Sequence, residues 1–249
     1  MKLDKTKEVL EVLQGVDIPE CAVFAEKDTN QLRAVSNDRS TIVFTDVEKF
    51  IETQVGILSV KGLLTRLNLF DTEKAGVNEE TKESEQGDYI SDLTIKEGRR
   101  RSKVKTTHPQ RLAAPTKYPD AKKAFTAFIT KEYVDYIGKM KSSISSVPSQ
   151  EDLTLSLSVD SNTPDETINL SIGGGYDNFH DEVEGEILGD FSEFSATWKI
   201  DSLMRVLKRA ASSLDDEDYI TLTVNDLGIM EVDVNGVVVS ISSQNNHSK

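Results

Sequence analysis

The stretch 194–212, FSATWKIDSLMRVLKRAAS, constrains the fold of this chain most, because it packs a strand, a helix start and a two-faced helix into one short run. Phe194, Ala196 and Trp198 alternate with Ser195, Thr197 and Lys199, the period-two pattern of a strand with one buried face. Asp201 is the expected N-cap. Beyond it Leu203, Val206, Leu207 and Ala210 share one helical face, and Arg205, Lys208, Arg209 and Ser212 share another. One basic face is what any solvated helix shows, so a single such helix assigns no function.

The same grammar recurs along the chain. Residues 2–15 read as a helix with Leu3, Thr6, Val9, Leu10 and Leu13 inward, Lys2 and Lys5 outward, and Gly15 at the stop. Short strands are expected at 21–25, 31–35, 41–44 and 50–55, separated by polar turns. Ser59 is the expected cap of a second helix whose apolar face is Val60, Leu63, Leu64 and Leu67, with Lys61 and Arg66 off that face. Stretch 71–88 is rich in carboxylates and has one aliphatic residue larger than alanine, Val77, so a solvated or disordered loop is expected. Strand patterns return at 89–95 and 99–106. The second holds Arg99, Arg100, Arg101, Lys103 and Lys105, either a nucleic-acid patch or an edge strand protected from aggregation by charge. Stretch 108–123 contains Pro109, Pro115 and Pro119, which exclude a helix interior or a central strand and suit an extended crossing between domains.

The second half reopens with a strand at 124–129, Thr130 as cap, and a helix at 131–145 with Tyr133, Val134, Ile137 and Ile144 inward and Lys131 and Lys139 elsewhere. Strands follow at 153–159 and 167–172. Gly173, Gly174 and Gly175 then read as a turn, since a phosphate loop requires a following helix and a Lys-Ser or Lys-Thr pair. An acidic strand at 181–186 precedes the opening junction, and strands at 219–224, 229–234 and 237–241, the last two joined by Asn235-Gly236, close the chain. Helices therefore start after Asp4, Ser59, Thr130 and Asp201, the last three about 70 residues apart, which suggests an α+β fold of duplicated units.

Charge sharpens that pattern. The chain carries a formal −14, which argues against a broadly basic nucleic-acid surface, because phosphate affinity comes from Lys and Arg displacing counterions. A protein that encloses DNA requires only a locally favourable lining. The lone Cys21 excludes an internal disulfide and reads as a buried thiol, and the three histidines lack metal-ligand spacing. Asp215, Asp216, Glu217 and Asp218 are a conceivable magnesium cluster, but no nucleophile, base or cofactor loop accompanies them, so neither catalysis nor a cofactor is expected. No apolar run approaches the roughly 18 residues of a membrane span, and the first residues lack an apolar signal core, so the protein is expected to stay in the compartment where it is made.

Four stretches also carry a family resemblance: the opening Met1-Lys2-Leu3, the junction VGILSVKGLL at 55–64, the proline-rich LAAPTKYP at 112–119, and the closing FSATWKIDSLMRVLKRA with its meander. Over nearly its whole length the chain resembles a DNA sliding clamp, and it is more similar to the trimeric clamp of T-even-like bacteriophages than to proliferating cell nuclear antigen. The acidic stretch 71–88 and the Arg99-Arg100-Arg101 run depart from the family pattern. The resemblance implies two similar clamp domains, 1–107 and 124–249, joined by a connector at 108–123, each with two helices packed on antiparallel sheets, and a ring of three copies. Its helices would line the hole, which places Lys2, Lys5, Lys61, Arg66, Lys131, Lys139, Arg205, Lys208 and Arg209 toward duplex DNA. It implies no reaction and no cofactor. Its implied partners are DNA held without sequence reading, a replicative DNA polymerase and a clamp-loader ATPase, in the cytoplasm of a host cell if the protein is viral. Partner peptides would enter beneath the connector at Leu112, Ala114, Pro115 and Tyr118. The strand before the connector is the edge at which copies of a clamp meet, and an expectation beyond the resemblance is that its Arg99, Arg100, Arg101, Lys103 and Lys105 face an acidic edge with Asp181, Glu182, Glu184 and Glu186. An acidic, β-rich phage structural or assembly protein is the competing reading, but such a protein has no use for repeated basic helices.

Overall fold

Alternation and helical spacing become strands and helices close to the expected places, in a computed structural model that describes residues 3–144, 153–164, 166–174, 177–188, 191, 193–215 and 218–244. The chain forms two units, Met1–Tyr118 and Pro119–Lys249.

In the first unit, helix α1 (Asp4–Gly15) leads into the meander β1 (Cys21–Ala25), β2 (Thr29–Val35) and β3 (Thr41–Glu48). Strand β4 (Val55–Ile57) pairs with β1, giving the antiparallel order β3-β2-β1-β4. After α2 (Val60–Leu67), strands β5 (Gly76–Lys82), β6 (Tyr89–Glu97) and β7 (Arg100–Lys105) make a second antiparallel sheet. The two helices pack side by side, with Leu10, Leu13, Leu63, Leu64 and Leu67 buried. Ser59 caps α2 as expected, its Oγ accepting from the Gly62 N–H at 3.0 Å.

Three expectations change here. Asp4 lies inside α1 and does not cap it; the Glu48 carboxylate at the end of β3 accepts from the Lys5 and Thr6 N–H groups at 3.0 and 3.4 Å, a tertiary cap that no local motif announces. Residues 50–54 are not strand. Buried Asn30 organises them instead, its Oδ1 accepting from the Phe50 and Ile51 N–H groups at 2.7 and 2.9 Å and its Nδ2 donating to the Ile51 carbonyl at 3.0 Å. Part of the acidic stretch is ordered as β5, an edge strand with no fully buried residue that takes its backbone partners from apolar β6 and so carries no hydrophobic alternation of its own. Cys21 is buried as expected, and burial pushes its thiol up to about 12.

The second unit runs β8 (Lys123–Thr130), α3 (Lys131–Ile144), β9 (Thr154–Val159), β10 (Thr167–Gly174), β11 (Asp177–Ile187), β12 (Phe194–Lys199), α4 (Ile200–Ala211), β13 (Tyr219–Asn225), β14 (Ile229–Val234) and β15 (Val237–Ser242). Its strands lie antiparallel in the order β12-β9-β10-β11-β8-β13-β14-β15. Thr130 caps α3 through the Tyr133 N–H at 3.1 Å. Asp201 does not cap α4: the N-cap residue is Lys199, without a side-chain bond, and the Asp201 carboxylate instead receives Lys141 from α3. Gly173 and Gly174 belong to β10 and not to a turn, while Gly175 lies outside the described residues.

Strand β11 changes partner along its length. Residues 177–184 pair with β10 and Gly185, Glu186 and Ile187 pair with β8. At the changeover a Cβ on Gly185 would sit 2.3 Å from Ile168 Cγ1 and 2.6 Å from the Thr126 carbonyl oxygen, so the backbones approach too closely for any side chain. Gly185→Ala is expected to destabilise the protein by about 2–3 kcal/mol in urea titration. A loss below about 0.5 kcal/mol, within the ordinary range for surface substitutions, would contradict this packing.

Candidate functional site

The helix surfaces are the first candidate. On α4, Ile200, Leu203, Val206, Leu207 and Ala210 are buried, which leaves Asp201, Arg205, Lys208 and Arg209 at the surface margin. Lys208 is exposed, Arg205 donates to Ser202 Oγ at 3.3 Å, and the buried Arg209 Nε has no hydrogen-bond partner. Helix α3 adds Lys131, Lys139 and Lys141 against Glu132 and Asp135, and α2 adds Lys61 and Arg66 against no acid. Arg66 folds back, donating to the Gly62 carbonyl at 2.8 Å, so Lys61 is the freer charge. Helix α1 is different: Lys5 and Lys7 are outnumbered by Asp4, Glu8 and Glu11, and Lys5 pairs with Glu8 at 3.8 Å. Lys2 lies outside the described residues.

The four helices together hold ten Lys and Arg against six Asp and Glu, in a chain whose formal charge is −14. Positive charge is thus segregated onto helices, most strongly on α2 and α4 and not at all in net terms on α1. Lys7 and Lys141 are helical cations beyond those expected from the sequence; their spacing is legible there, but Glu8, Glu11 and Asp135 nearby mask it.

The second candidate is the connector. His108 is buried, its Nδ1 accepting from the Gln110 N–H at 3.2 Å and its ring standing edge-on to Tyr89 at 5.2 Å. Gly56 and Thr107 exchange backbone bonds of 2.8 and 2.9 Å, and the missing Cβ of Gly56 leaves room for Leu112, which would otherwise be 3.0 Å away. The Ala113 N–H reaches Glu20 Oε1 at 3.4 Å, and the Tyr118 ring stands 6.1 Å from that of Phe44. Leu112, Ala114, Pro115 and Tyr118 are all half-buried. Residues 108–118 therefore lie along the first unit as a bordered, partly apolar strip rather than as a free crossing. Arg33, absent from the residues expected on sequence grounds, is the side chain that grips it: its Nη1 donates to the Thr116 carbonyl at 3.1 Å.

The third candidate is the pair of oppositely charged strands. Strand β7 ends its sheet, with Arg100, Arg101, Lys103 and Lys105 exposed and Arg99 exposed in the preceding turn. Lys103 is engaged within its own sheet, 2.9 Å from Glu80 and 3.6 Å from Asp92, and the Glu80 hydrogen bond holds its ammonium above the usual range. On β11, Glu182, Glu184 and Glu186 are exposed, while half-buried Asp181 accepts from the Tyr133 hydroxyl at 2.8 Å. Burial and that bond push the Tyr133 phenol up.

Among the described residues no group of three or more His, Cys, Asp or Glu is placed to hold a metal ion, and no helix is long and apolar enough to cross a membrane. Asp216 and Glu217 of the acidic cluster lie outside the described residues.

No protein-family profile and no curated protein matches the sequence. Solved structures do match. The A. fulgidus PCNA bound to the C-terminal region of FEN-1 aligns with a TM-score of 0.61 at 14% identity, over 100% of this chain and 98% of that one. PCNA from Thermococcus kodakaraensis aligns with a TM-score of 0.57 at 14% identity, over 98% of each chain. The Helicobacter pylori beta clamp bound to a DNA ligase peptide aligns with a TM-score of 0.62 at 12% identity, over 100% of this chain and 67% of that one. The chain thus has the α+β sliding-clamp fold along its length.

Proposed function

We propose that this chain is a sliding clamp of the trimeric, T-even-like phage kind, which closes around duplex DNA and tethers a replicative polymerase without catalysing a reaction. The observation that carries the reading is charge segregation on this fold: Lys and Arg outnumber acids on the helices of a strongly acidic chain. A lining of that kind attracts phosphates weakly and reads no bases, which allows sliding, and an acidic exterior disfavours DNA elsewhere. The strip at Leu112, Ala114, Pro115 and Tyr118 is the proposed docking place for partner peptides of the polymerase and of a clamp-loader ATPase.

In this reading copies join through the basic strand β7 of one and the acidic strand β11 of the next. Arg99, Arg100 and Arg101 meet Glu182, Glu184 and Glu186; Lys103 and Asp181, already engaged within their own chain, add less. Exposed pairs are screened beyond about 8 Å at physiological salt, so assembly of this kind weakens as salt rises. Sedimentation velocity at 0.05 and 1 M NaCl is expected to give about 83 kDa, three times the 27.6 kDa chain, at low salt and smaller species at high salt. A trimer indifferent to salt, or one that survives charge reversal of Arg99, Arg100 and Arg101, would refute the β7–β11 contact.

A further inference from the structure

The two units differ at one sheet edge. In the second unit β13, the strand after α4, is flanked on both sides, by β14 and by β8, the strand that leads into α3. In the first unit β5 follows α2 in the same way and pairs with β6, but no strand among the described residues pairs with its other edge. The Leu3 N–H donates to the Thr72 carbonyl at 3.2 Å just before α1, matching the Thr130 and Tyr219 pair just before α3, and there the likeness stops. Beyond it, alternate residues of β5 direct backbone N–H and C=O groups away from β6, which is a template for an added strand. A Cβ built on Gly76 would meet nothing within 4 Å, so nothing crowds the start of this edge. The register is regular from Gly76 to Glu80 and shifts between Glu80 and Thr81, which confines the template to 76–80.

Charge selects what pairs there. Stretch 71–88 departs from the clamp pattern and holds seven Asp and Glu to two Lys. Glu79 and Glu80 are engaged within the chain, Glu79 accepting from the Glu52 N–H at 2.9 Å and Glu80 pairing with Lys103 at 2.9 Å. Glu73, Glu83 and Glu85 are exposed at the two ends of the edge. Along β5, Val77 and Glu79 are half-buried and lie opposite the buried Ile95 and Leu93, whereas Asn78 and Glu80 are exposed. An added strand thus has one face beside apolar side chains and the other in an acidic field.

We propose that residues 76–80 of β5 take an extended, basic segment of a partner protein as an added antiparallel strand, as β13 takes β8. The segment's apolar side chains lie beside Val77, and its Lys and Arg lie beside Asn78, Glu80 and the flanking acids. Backbone bonds supply the affinity and the alternating side chains the selectivity. The edge belongs to the first unit alone, so this docking does not depend on assembly into a ring.

The probe is acetyl-Lys-Val-Lys-Val-Arg-Val-Lys amide, titrated into the ¹⁵N-labelled protein. It is expected to shift the amides of 76–80 and to bind at least tenfold more tightly than the same peptide with Glu in place of every Lys and Arg. Two further peptides carry N-methyl groups on the valines or on the basic residues. Because alternate N–H groups face the strand being extended, one set should abolish binding and the other should leave it within about threefold. Equal binding of the two methylated peptides would show attraction by charge without strand addition, and would overturn the proposal. So would a basic peptide that leaves the 76–80 amides unmoved. Glu83→Gln with Glu85→Gln is expected to weaken the peptide several-fold while the sedimenting mass of the protein stays the same. Loss of the low-salt assembly in that variant would assign the edge to the basic β7 of a second copy and overturn the assignment to a partner protein.

Discussion

Replacing Arg205, Lys208 and Arg209 together by glutamine is expected to shorten the residence of the loaded ring on circular DNA by at least tenfold and to flatten its salt dependence, while the sedimenting mass stays that of the unaltered protein. Removing one cation from a phosphate lowers the slope of log affinity against log salt by about 0.9 on duplex DNA, so three per subunit are a large share of a lining this sparse. The substitutions fall on the outer margin of α4, whose core packing comes from Ile200, Leu203, Val206 and Leu207 and remains in place. The same substitutions at Lys5 and Lys7 should do far less, because Asp4, Glu8 and Glu11 already cancel them. Residence measured at several salt concentrations separates the two. Unchanged residence in the α4 variant would remove that helix from the lining.

The largest effect on stability is expected at Trp198. It is fully buried near the end of β12, two residues before the start of α4, and its Nε1 donates to the Ile241 carbonyl of β15 at 3.1 Å. Trp198→Ala removes a large aromatic volume and leaves that carbonyl without its partner, which should cost about 3–5 kcal/mol in a urea titration. Because the indole ties β12, and hence the α4 start, to β15, the variant should also lose protection of the α4 amides in hydrogen exchange before the β13–β14 amides. A cost below about 1 kcal/mol, or uniform loss of protection, would contradict this account of the junction.

The junctions were legible because they are local. Ser59 is followed directly, and Thr130 after Lys131 and Glu132, by apolar residues at helical spacing, and the expected caps form. Asp4 and Asp201 have the same sequence signature, but tertiary partners take their place: Glu48 supplies the α1 cap, and Lys141 draws Asp201 aside. Likewise residues 50–54 have strand propensity but follow Asn30, whose buried amide offers the backbone bonds that a sheet neighbour would have supplied. Strand β5 was hidden for the opposite reason, since an edge strand with wet faces needs no apolar residues once β6 is beside it. The candidate site follows the same division. Helical cations could be read from spacing, whereas Arg33 could not, because its surroundings are assembled from Phe24, Phe44 and Thr116 on three separate segments.

A topological assay addresses the central claim most directly. The protein is loaded by the clamp loader of its own replication system, with ATP, onto nicked circular DNA, and the DNA is then cut once with a restriction enzyme. A ring that holds DNA by enclosure stays on the circle through gel filtration and leaves within minutes of linearisation. Retention on the linear product equal to that on the circle would show adhesion rather than enclosure, and would contradict the account.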